Sequence, residues 1–227
     1  MRPYYTIPIL MYHNIDEQSR FSKLSVSPKS FEKQVAFIRK KDIDIISLQE
    51  LIRCEHNRRS KKVCITFDDG FENNFLNASP ILQKGNIRAT IFVSTDHIGR
   101  KGYLSWEQLK DIAKSSNIMV GSHTKSHRWL PGMKTDELRR EIIDSKKILE
   151  DRLGMPIEVL SYPLGGINPE VIAIAKEAGY VCACSTNPPK EYDETDPFTL
   201  RRIKITRTSD NLMLFSFKVS GYYNVLR

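Results

Sequence analysis

Short apolar runs alternate with longer amphipathic stretches along nearly the whole chain. The apolar runs read as buried strands: Ile7 to Tyr12, Val63 to Phe67, Ala89 to Ser94, Ile118 to Gly121, Val159 to Tyr162, Tyr180 to Cys184 and Leu200 to Ile205. The stretches between them carry helical periodicity with recognisable ends. Ser27-Pro28 opens a helix with Phe31, Val35 and Ile38 on one face, and Ser105-Trp106-Glu107-Gln108 is a capping box. Thr135 starts a long helix with Leu138, Ile142, Leu149 and Leu153 inward, stopped by Gly154 and Pro156. Asn168-Pro169 is a cap followed by proline in the first turn, and Gly179 ends that helix. Strand and helix in regular succession imply parallel pairing with helices outside. No linker or repeat interrupts the pattern, so residues 1–227 are expected to form one α/β domain, a barrel or an open sheet. About seven such units favour a barrel of slightly fewer than eight strands.

Composition narrows the class. With 40% hydrophobic and 27% charged residues in 227, the chain can bury one substantial core. No stretch is apolar and long enough to span a bilayer, and no signal-peptide pattern is visible. The expected location is the cytoplasm or a membrane periphery, or outside the cell if a leader has been removed. The net charge of +8 allows an anionic partner, but the basic residues are spread out. The short clusters are Arg58-Arg59-Ser60-Lys61-Lys62 and Arg201-Arg202, and no zinc finger or RNA-binding signature accompanies them, so nucleic acid is not an expected partner. The apolar run Asn211 to Lys218 reads as a helix sealing the barrel. With Lys218 and Arg227 it leaves peripheral contact with an anionic membrane as the alternative. Of the four cysteines, Cys64, Cys182 and Cys184 lie in strand-like runs and are expected to pack as small hydrophobes, with a soft-metal role for Cys182 and Cys184 as the minor reading; Cys54 lies outside such a run.

Three segments carry chemistry. In Ile65-Thr66-Phe67-Asp68-Asp69-Gly70 two adjacent carboxylates follow a buried strand. Strand alternation cannot bury both, and two neighbouring carboxylates resist joint ionisation unless a cation sits near them. A solvated turn is the bland alternative. In His123-Thr124-Lys125-Ser126-His127 two of the five histidines stand four apart after another strand. Two imidazoles and one carboxylate make a hydrolytic metal site with open positions. Leu160-Ser161-Tyr162-Pro163-Leu164-Gly165-Gly166 is a third strand running into a turn. Each is weak alone, but all three fall at C-terminal strand ends, where barrels build active sites.

At these residues the chain resembles the polysaccharide deacetylases, the NodB-homology proteins of carbohydrate esterase family four. Thr66-Phe67-Asp68-Asp69-Gly70 matches the family's T-F-D-D-G motif, and His123 to His127 matches H-[ST]-x-x-H. The resemblance runs from Ile9 to about Ile205 and implies a distorted (β/α) barrel of seven strands. It implies a hydrolase that removes N-acetyl groups from N-acetylhexosamine residues of a polymer, oligosaccharide or lipid-linked glycan. Asp69, His123 and His127 would hold a divalent metal, Zn2+ first, with Co2+, Mn2+ or Ni2+ as alternatives, and Asp68 would be the general base. The Tyr162, Pro163 and Leu164 turn would shape the groove and offer an oxyanion N–H, and Thr124 would hydrogen-bond within its loop. Two family features are missing. Ser161 and Tyr162 stand where an arginine precedes the proline, so Arg202 is expected to reach in instead. No late Leu-x-His motif exists, but Leu10-Met11-Tyr12-His13 matches an early L-M-Y-H motif of the subgroup resembling poly-N-acetylglucosamine deacetylases, making His13 the expected general acid. His97 receives no role. The competing readings are a metal amidohydrolase of a small non-sugar amide and a silent glycan-binding protein.

Overall fold

The computed structural model describes residues 7–17, 23–53, 61–186, 188, 192, 196–221 and 223; Cys54, Arg58, Arg59, Ser60 and Arg227 lie outside them. In chain order the strands are β1 (Ile9–Tyr12), β2 (Asn14–Ile15), β3 (Ser25–Val26), β4 (Ile43–Ile45), β5 (Lys61–Phe67), β6 (Ala89–Val93), β7 (Ile118–Ser122), β8 (Val159–Ser161), β9 (Cys182–Ser185), β10 (Leu200–Arg201) and β11 (Ile203–Lys204). The helices are α1 (Pro28–Lys40), α2 (Leu48–Arg53), α3 (Ser79–Lys84), α4 (Trp106–Ala113), α5 (Thr135–Arg139), α6 (Ser145–Leu153), α7 (Pro169–Glu177) and α8 (Leu212–Lys218). A π-helical segment, Arg140–Asp144, joins α5 to α6 into the long helix expected from Thr135.

The main sheet runs β10-β9-β8-β7-β6-β5-β1-β11, with every pairing parallel. Its two ends are consecutive in sequence. Leu200 pairs with Cys184 of β9, and Ile203 pairs with Leu10 of β1. The chain therefore crosses from one edge of the sheet to the other at Arg202 and closes the sheet into a distorted barrel. Taken as one broken strand, β10 and β11 make the seventh strand.

Period-two alternation sorts the side chains. Leu10, Tyr12, Val63, Ile65, Phe67, Ile91, Val120, Leu160 and Ala183 pack outward among the helices. Ile9, Cys64, Phe92, Val159, Cys182 and Cys184 form a separate inner cluster with Ile46 and Leu48. Continuing the inner parity toward the C-terminal strand ends reaches His13, Asp68, His123, Ser161 and Arg202. The cysteines pack as expected: burial pushes the Cys184 thiol up to about 12, and Cys182 well above its usual value.

Gly121 lies in this inner row because nothing larger fits. A Cβ there would meet the Phe92 ring at 2.5 Å and Val159 Cγ2 at 2.8 Å. Gly121→Ala is expected to cost about 1–3 kcal/mol through overpacking, read from urea unfolding. It should also lower activity, because the Phe92 ring it displaces carries the Arg202 guanidinium, 5.6 Å from its centroid.

Several expectations need correction. The strand expected from Tyr180 begins at Cys182, and the Tyr180 hydroxyl instead donates to the Ile142 carbonyl at 3.2 Å. The strand expected from Leu200 to Ile205 is broken at Arg202. β4, which pairs with the first half of β5, is too short to signal itself by alternation. α8 does not seal the barrel. It turns Phe215 against Phe37 of α1, while Leu212, Met213, Leu214 and Phe217 remain exposed. Five apolar residues in seven cannot all face one neighbour. Among the described residues no helix is long and apolar enough to cross a membrane.

Candidate active site

Asp68 follows β5 on the inner parity, its backbone N–H donating to the Tyr12 carbonyl at 2.9 Å. Asp69 would point outward if the strand continued. Instead Asp69 and Gly70 adopt φ of 71° and 68°, which swings the second carboxylate back over the barrel mouth. Gly70 also needs its missing Cβ, which would meet Val93 Cγ1 at 2.8 Å. Both acids therefore serve one site, as the broken alternation demanded.

His123 directly follows β7, and its Nδ1 lies 2.7 Å from the Ser161 carbonyl. That contact makes Nδ1 a protonated nitrogen, so a neutral His123 ring presents Nε2 as the lone-pair donor to an ion. Nε2 sits 3.5 Å from Asp69 Oδ1 and 3.8 Å from Asp68 Oδ2. His127 Nε2 is 3.1 Å from the same Asp69 oxygen. One ligand atom from each of Asp69, His123 and His127 lies within 4.8 Å of the others. A carboxylate and two imidazoles so gathered suit a borderline divalent ion, and the fixed His123 tautomer is the one a ligand requires. His123→Ala is expected to weaken metal binding more than about 100-fold, beyond the loss of an outer partner, as read by competition with a chelating indicator.

The loop holding His127 is strained and clamped. Thr124 and His127 have φ of 63° and 59°. Glu141, in the π-helical segment, accepts from the Lys125 N–H at 3.1 Å, the Ser126 N–H at 2.8 Å and the Ser126 hydroxyl, while its own carbonyl also accepts from the Lys125 N–H. A π-bulge re-aims one helical side chain, and here it brings Glu141 onto the His127 loop.

Arg202 is fully buried at the β10–β11 break. Its Nη1 and Nη2 donate to Asp68 Oδ1 and Oδ2, each at 2.6 Å, and Nη2 also reaches Ser161 Oγ at 2.8 Å. Burial alone would push the Asp68 carboxyl up; the Arg202 guanidinium outweighs it and holds the group below the usual carboxylate range. Burial likewise opposes ionisation of Asp69, and hydrogen bonds with His123 and His127 override it, keeping that carboxyl well below the usual range. His13 feels both acids, but burial dominates and lowers its pKa; its Nδ1 is buried with no partner among the described residues.

A polysaccharide deacetylase family model matches residues 55–183, more than half of the chain. The chain is 32% identical over 203 residues to YxkH of Bacillus subtilis, a protein provisionally named a polysaccharide deacetylase, covering 88% of this chain and 71% of that one. The chain belongs to the polysaccharide deacetylase family. A Staphylococcus aureus family member named poly-β-1,6-N-acetyl-D-glucosamine N-deacetylase is 27% identical over 197 residues, covering 80% of this chain and 68% of that one. Among solved structures, the Streptococcus pyogenes deacetylase PplD in complex with acetate superposes with a TM-score of 0.81 at 29% identity, covering 91% of this chain and 96% of that one.

Within this deacetylase-family fold, Asp68, Asp69, His13, His123, His127 and Arg202 gather at one barrel mouth. The Tyr162 turn does not act as a uniform wall. The Tyr162 side chain and Pro163 are buried, so only Leu164 of the three presents its side chain outward. Gly165 and Gly166 donate back to the Tyr162 and Pro163 carbonyls, whereas no partner among the described residues takes the Leu164 N–H. Thr124 does hydrogen-bond in its loop, but through its backbone N–H to Ser122 Oγ at 3.1 Å; its hydroxyl is buried without a partner among the described residues. The sequence reading overlooked Ser161, which the inner parity of β8 would have revealed, and Glu141, which carries no local signal. It also set aside His97, whose ring lies 6.2 Å from that of His127 and 4.8 Å from that of Tyr103.

Proposed function

We propose that this protein is a metal-dependent hydrolase that removes N-acetyl groups from N-acetylhexosamine residues of a glycan. The observation that carries the reading is the convergence of Asp69, His123 and His127 beside a second carboxylate, Asp68, that is not one of the three and is locked by Arg202. A divalent ion bound there, Zn2+ first, would supply Lewis acidity to a water and to the amide carbonyl. Asp68 Oδ2, the oxygen facing His123, is the atom placed to take the proton of the attacking water. Arg202 makes it a weak but rigidly aimed base. The Leu164 N–H is the free backbone donor for the tetrahedral oxyanion. Burial favours the neutral His13 ring, so the proton that Asp68 takes from the water would pass to His13 and from there to the departing amine nitrogen. His13→Ala is accordingly expected to lower kcat by about 100-fold or more with metal content unchanged. An unaltered kcat would return His13 to packing.

The amino-sugar substrate is supported by the name of the Staphylococcus aureus relative, and acetate as product by the ligand in the Streptococcus pyogenes structure. The decisive experiment measures acetate release from β-1,4- and β-1,6-linked N-acetylglucosamine oligomers by protein of known metal content. Release that stops on chelation and returns with Zn2+ supports the proposal. Metal-loaded protein that releases none overturns it, leaving the silent-binder reading if oligomers still bind.

The exposed apolar face of α8 favours a second, separate property: peripheral contact with an anionic membrane. Lys41 lies over Phe37, which packs on Phe215, and exposed Lys33 and Lys40 lie on the same helix α1, so an apolar patch has lysines at its margin together with the acids Glu32 and Asp210. Vesicle sedimentation with and without anionic lipid tests this; Met213→Asp binding as well as wild type would remove it.

A further inference from the structure

His123 and His127 are held in different ways. His123 follows β7 directly. Its backbone N–H donates to the Val93 carbonyl at 2.8 Å and its Nδ1 meets the Ser161 carbonyl, so the barrel itself fixes both backbone and ring. His127 stands further out, on a loop that is left-handed at Thr124 and again at His127, with φ of 63° and 59°. Left-handed backbone at residues that carry a Cβ is costly and persists only where the surroundings hold it. On one side the loop is laced to its neighbour: the Thr95 and Asp96 N–H groups donate to the Thr124 and Lys125 carbonyls at 3.3 and 2.9 Å. The last two N–H groups before His127 go elsewhere. Those of Lys125 and Ser126 both reach Glu141 Oε2, at 3.1 and 2.8 Å, and the Ser126 hydroxyl donates to Glu141 Oε1. Glu141 is 6% exposed and shares its spacing with buried Leu138, Ile142, Ser145 and Leu149. Packing there calls for an apolar side chain. A buried carboxylate costs free energy unless it meets donors, and the donors Glu141 meets among the described residues all belong to the His127 loop.

We infer that Glu141 is a positioning residue that holds His127 where it can serve as an ion ligand, so that affinity for the ion is set in part from the π-helical segment. The inference rests on the proposed ligand role of Asp69, His123 and His127 and deepens it: the barrel places one imidazole, and a side chain of the surrounding helix places the other. Without Glu141 the strain of the loop is unopposed at the residue before His127. The His127 imidazole then turns away while Asp69 and His123 keep their places. Glu141 touches neither ion nor substrate and acts only through the loop.

The test measures the Zn2+ affinity of the metal-free protein by indicator competition, and the visible spectrum of the Co2+ form as a report on the ligand set. Glu141→Ala is expected to raise the Zn2+ Kd about 10- to 100-fold, the range for loss of a ligand's outer partner, with far-UV circular dichroism unchanged. Its Co2+ spectrum should move toward that of His127→Ala, which a change that merely loosened the helix would not produce. In a His127→Ala background Glu141→Ala should raise the Kd no further, because the imidazole it places is gone. Glu141→Gln should recover most of the affinity. Its carbonyl oxygen can take both N–H groups and its NH2 can donate to the Ser126 hydroxyl oxygen, so the hydrogen bonds survive without the charge. Should Glu141→Ala not fold, Glu141→Asp, one methylene short of the loop, carries the same ordering at smaller size. A wild-type Kd in Glu141→Ala, an equal loss with and without His127, or Glu141→Gln as weak as Glu141→Ala each overturns the positioning role while the ligand reading stands. Wild-type protein that takes up no Zn2+ overturns that reading, and the inference with it.

Discussion

Asp68→Asn is expected to reduce acetate release by about 10²- to 10⁴-fold while the protein still binds one divalent ion. The magnitude is that of a lost general base. Metal is retained because Asp69, His123 and His127 are untouched and the His123 tautomer is set by the Ser161 carbonyl, not by Asp68. The substitution is not silent for folding. An amide offers Arg202 one acceptor and turns its own NH2 toward the second guanidinium nitrogen, so a buried charge loses half of its partner. A fall in unfolding free energy of about 3 kcal/mol is expected, and the variant should be assayed below its own unfolding transition. Three measurements separate the possibilities: acetate release, metal stoichiometry and urea unfolding. Wild-type turnover would remove the base role, and simultaneous loss of metal would make Asp68 a ligand.

Arg202→Met should have the largest effect on stability, about 3–5 kcal/mol, because it leaves Asp68 buried without its cation. The pH dependence carries the signature. In the wild type the folded-state pKa of Asp68 lies below the unfolded value of about 3.9, so the pair's contribution is complete above that value and fades as acid takes the pH down through the depressed folded pKa. In the variant burial has no opposing guanidinium, the folded pKa rises above the unfolded one, and the same carboxyl destabilises increasingly as pH rises. The stability gap between wild type and variant is therefore widest near neutrality and narrows toward pH 4. Urea unfolding of both proteins across that range checks it; a gap that stays constant with pH would show that Arg202 stabilises by packing on Phe92 rather than by charge. Turnover should fall as well, since Asp68 loses its fixed orientation.

How much of this was legible in the chain follows from how local each cause is. Strand positions could be read because burial and alternation are properties of neighbours, and the two acids announced a break because period two cannot bury both. The trio of Asp69, His123 and His127 was legible through the motifs of a resembling family, the convergence through their common place at strand ends. Arg202 was legible only as one candidate substitute for a missing arginine, beside Arg201; nothing in Leu200 to Ile205 says that the strand breaks there to change partners. Glu141 was invisible, since a π-bulge depends on how one long helix packs, not on its own five residues. Tyr162 was misplaced because the turn after it, not its own chemistry, decides which side chain faces the groove. α8 was misread because apolar content tells that a face will be covered somewhere, and not by what.

The bond between Arg202 and Asp68 spans 134 residues of sequence, while Asp69, His123 and His127, with the Glu141 and Ser161 groups that hold them, have all emerged by residue 161. A growing polypeptide can thus gather these three side chains before Asp68 is aimed. Competence arrives only when the final segment slots between the first and sixth staves, so the same stitch that shuts the cylinder also arms the chemistry. A partly made or end-frayed molecule would keep these three side chains together while Asp68 stays unaimed.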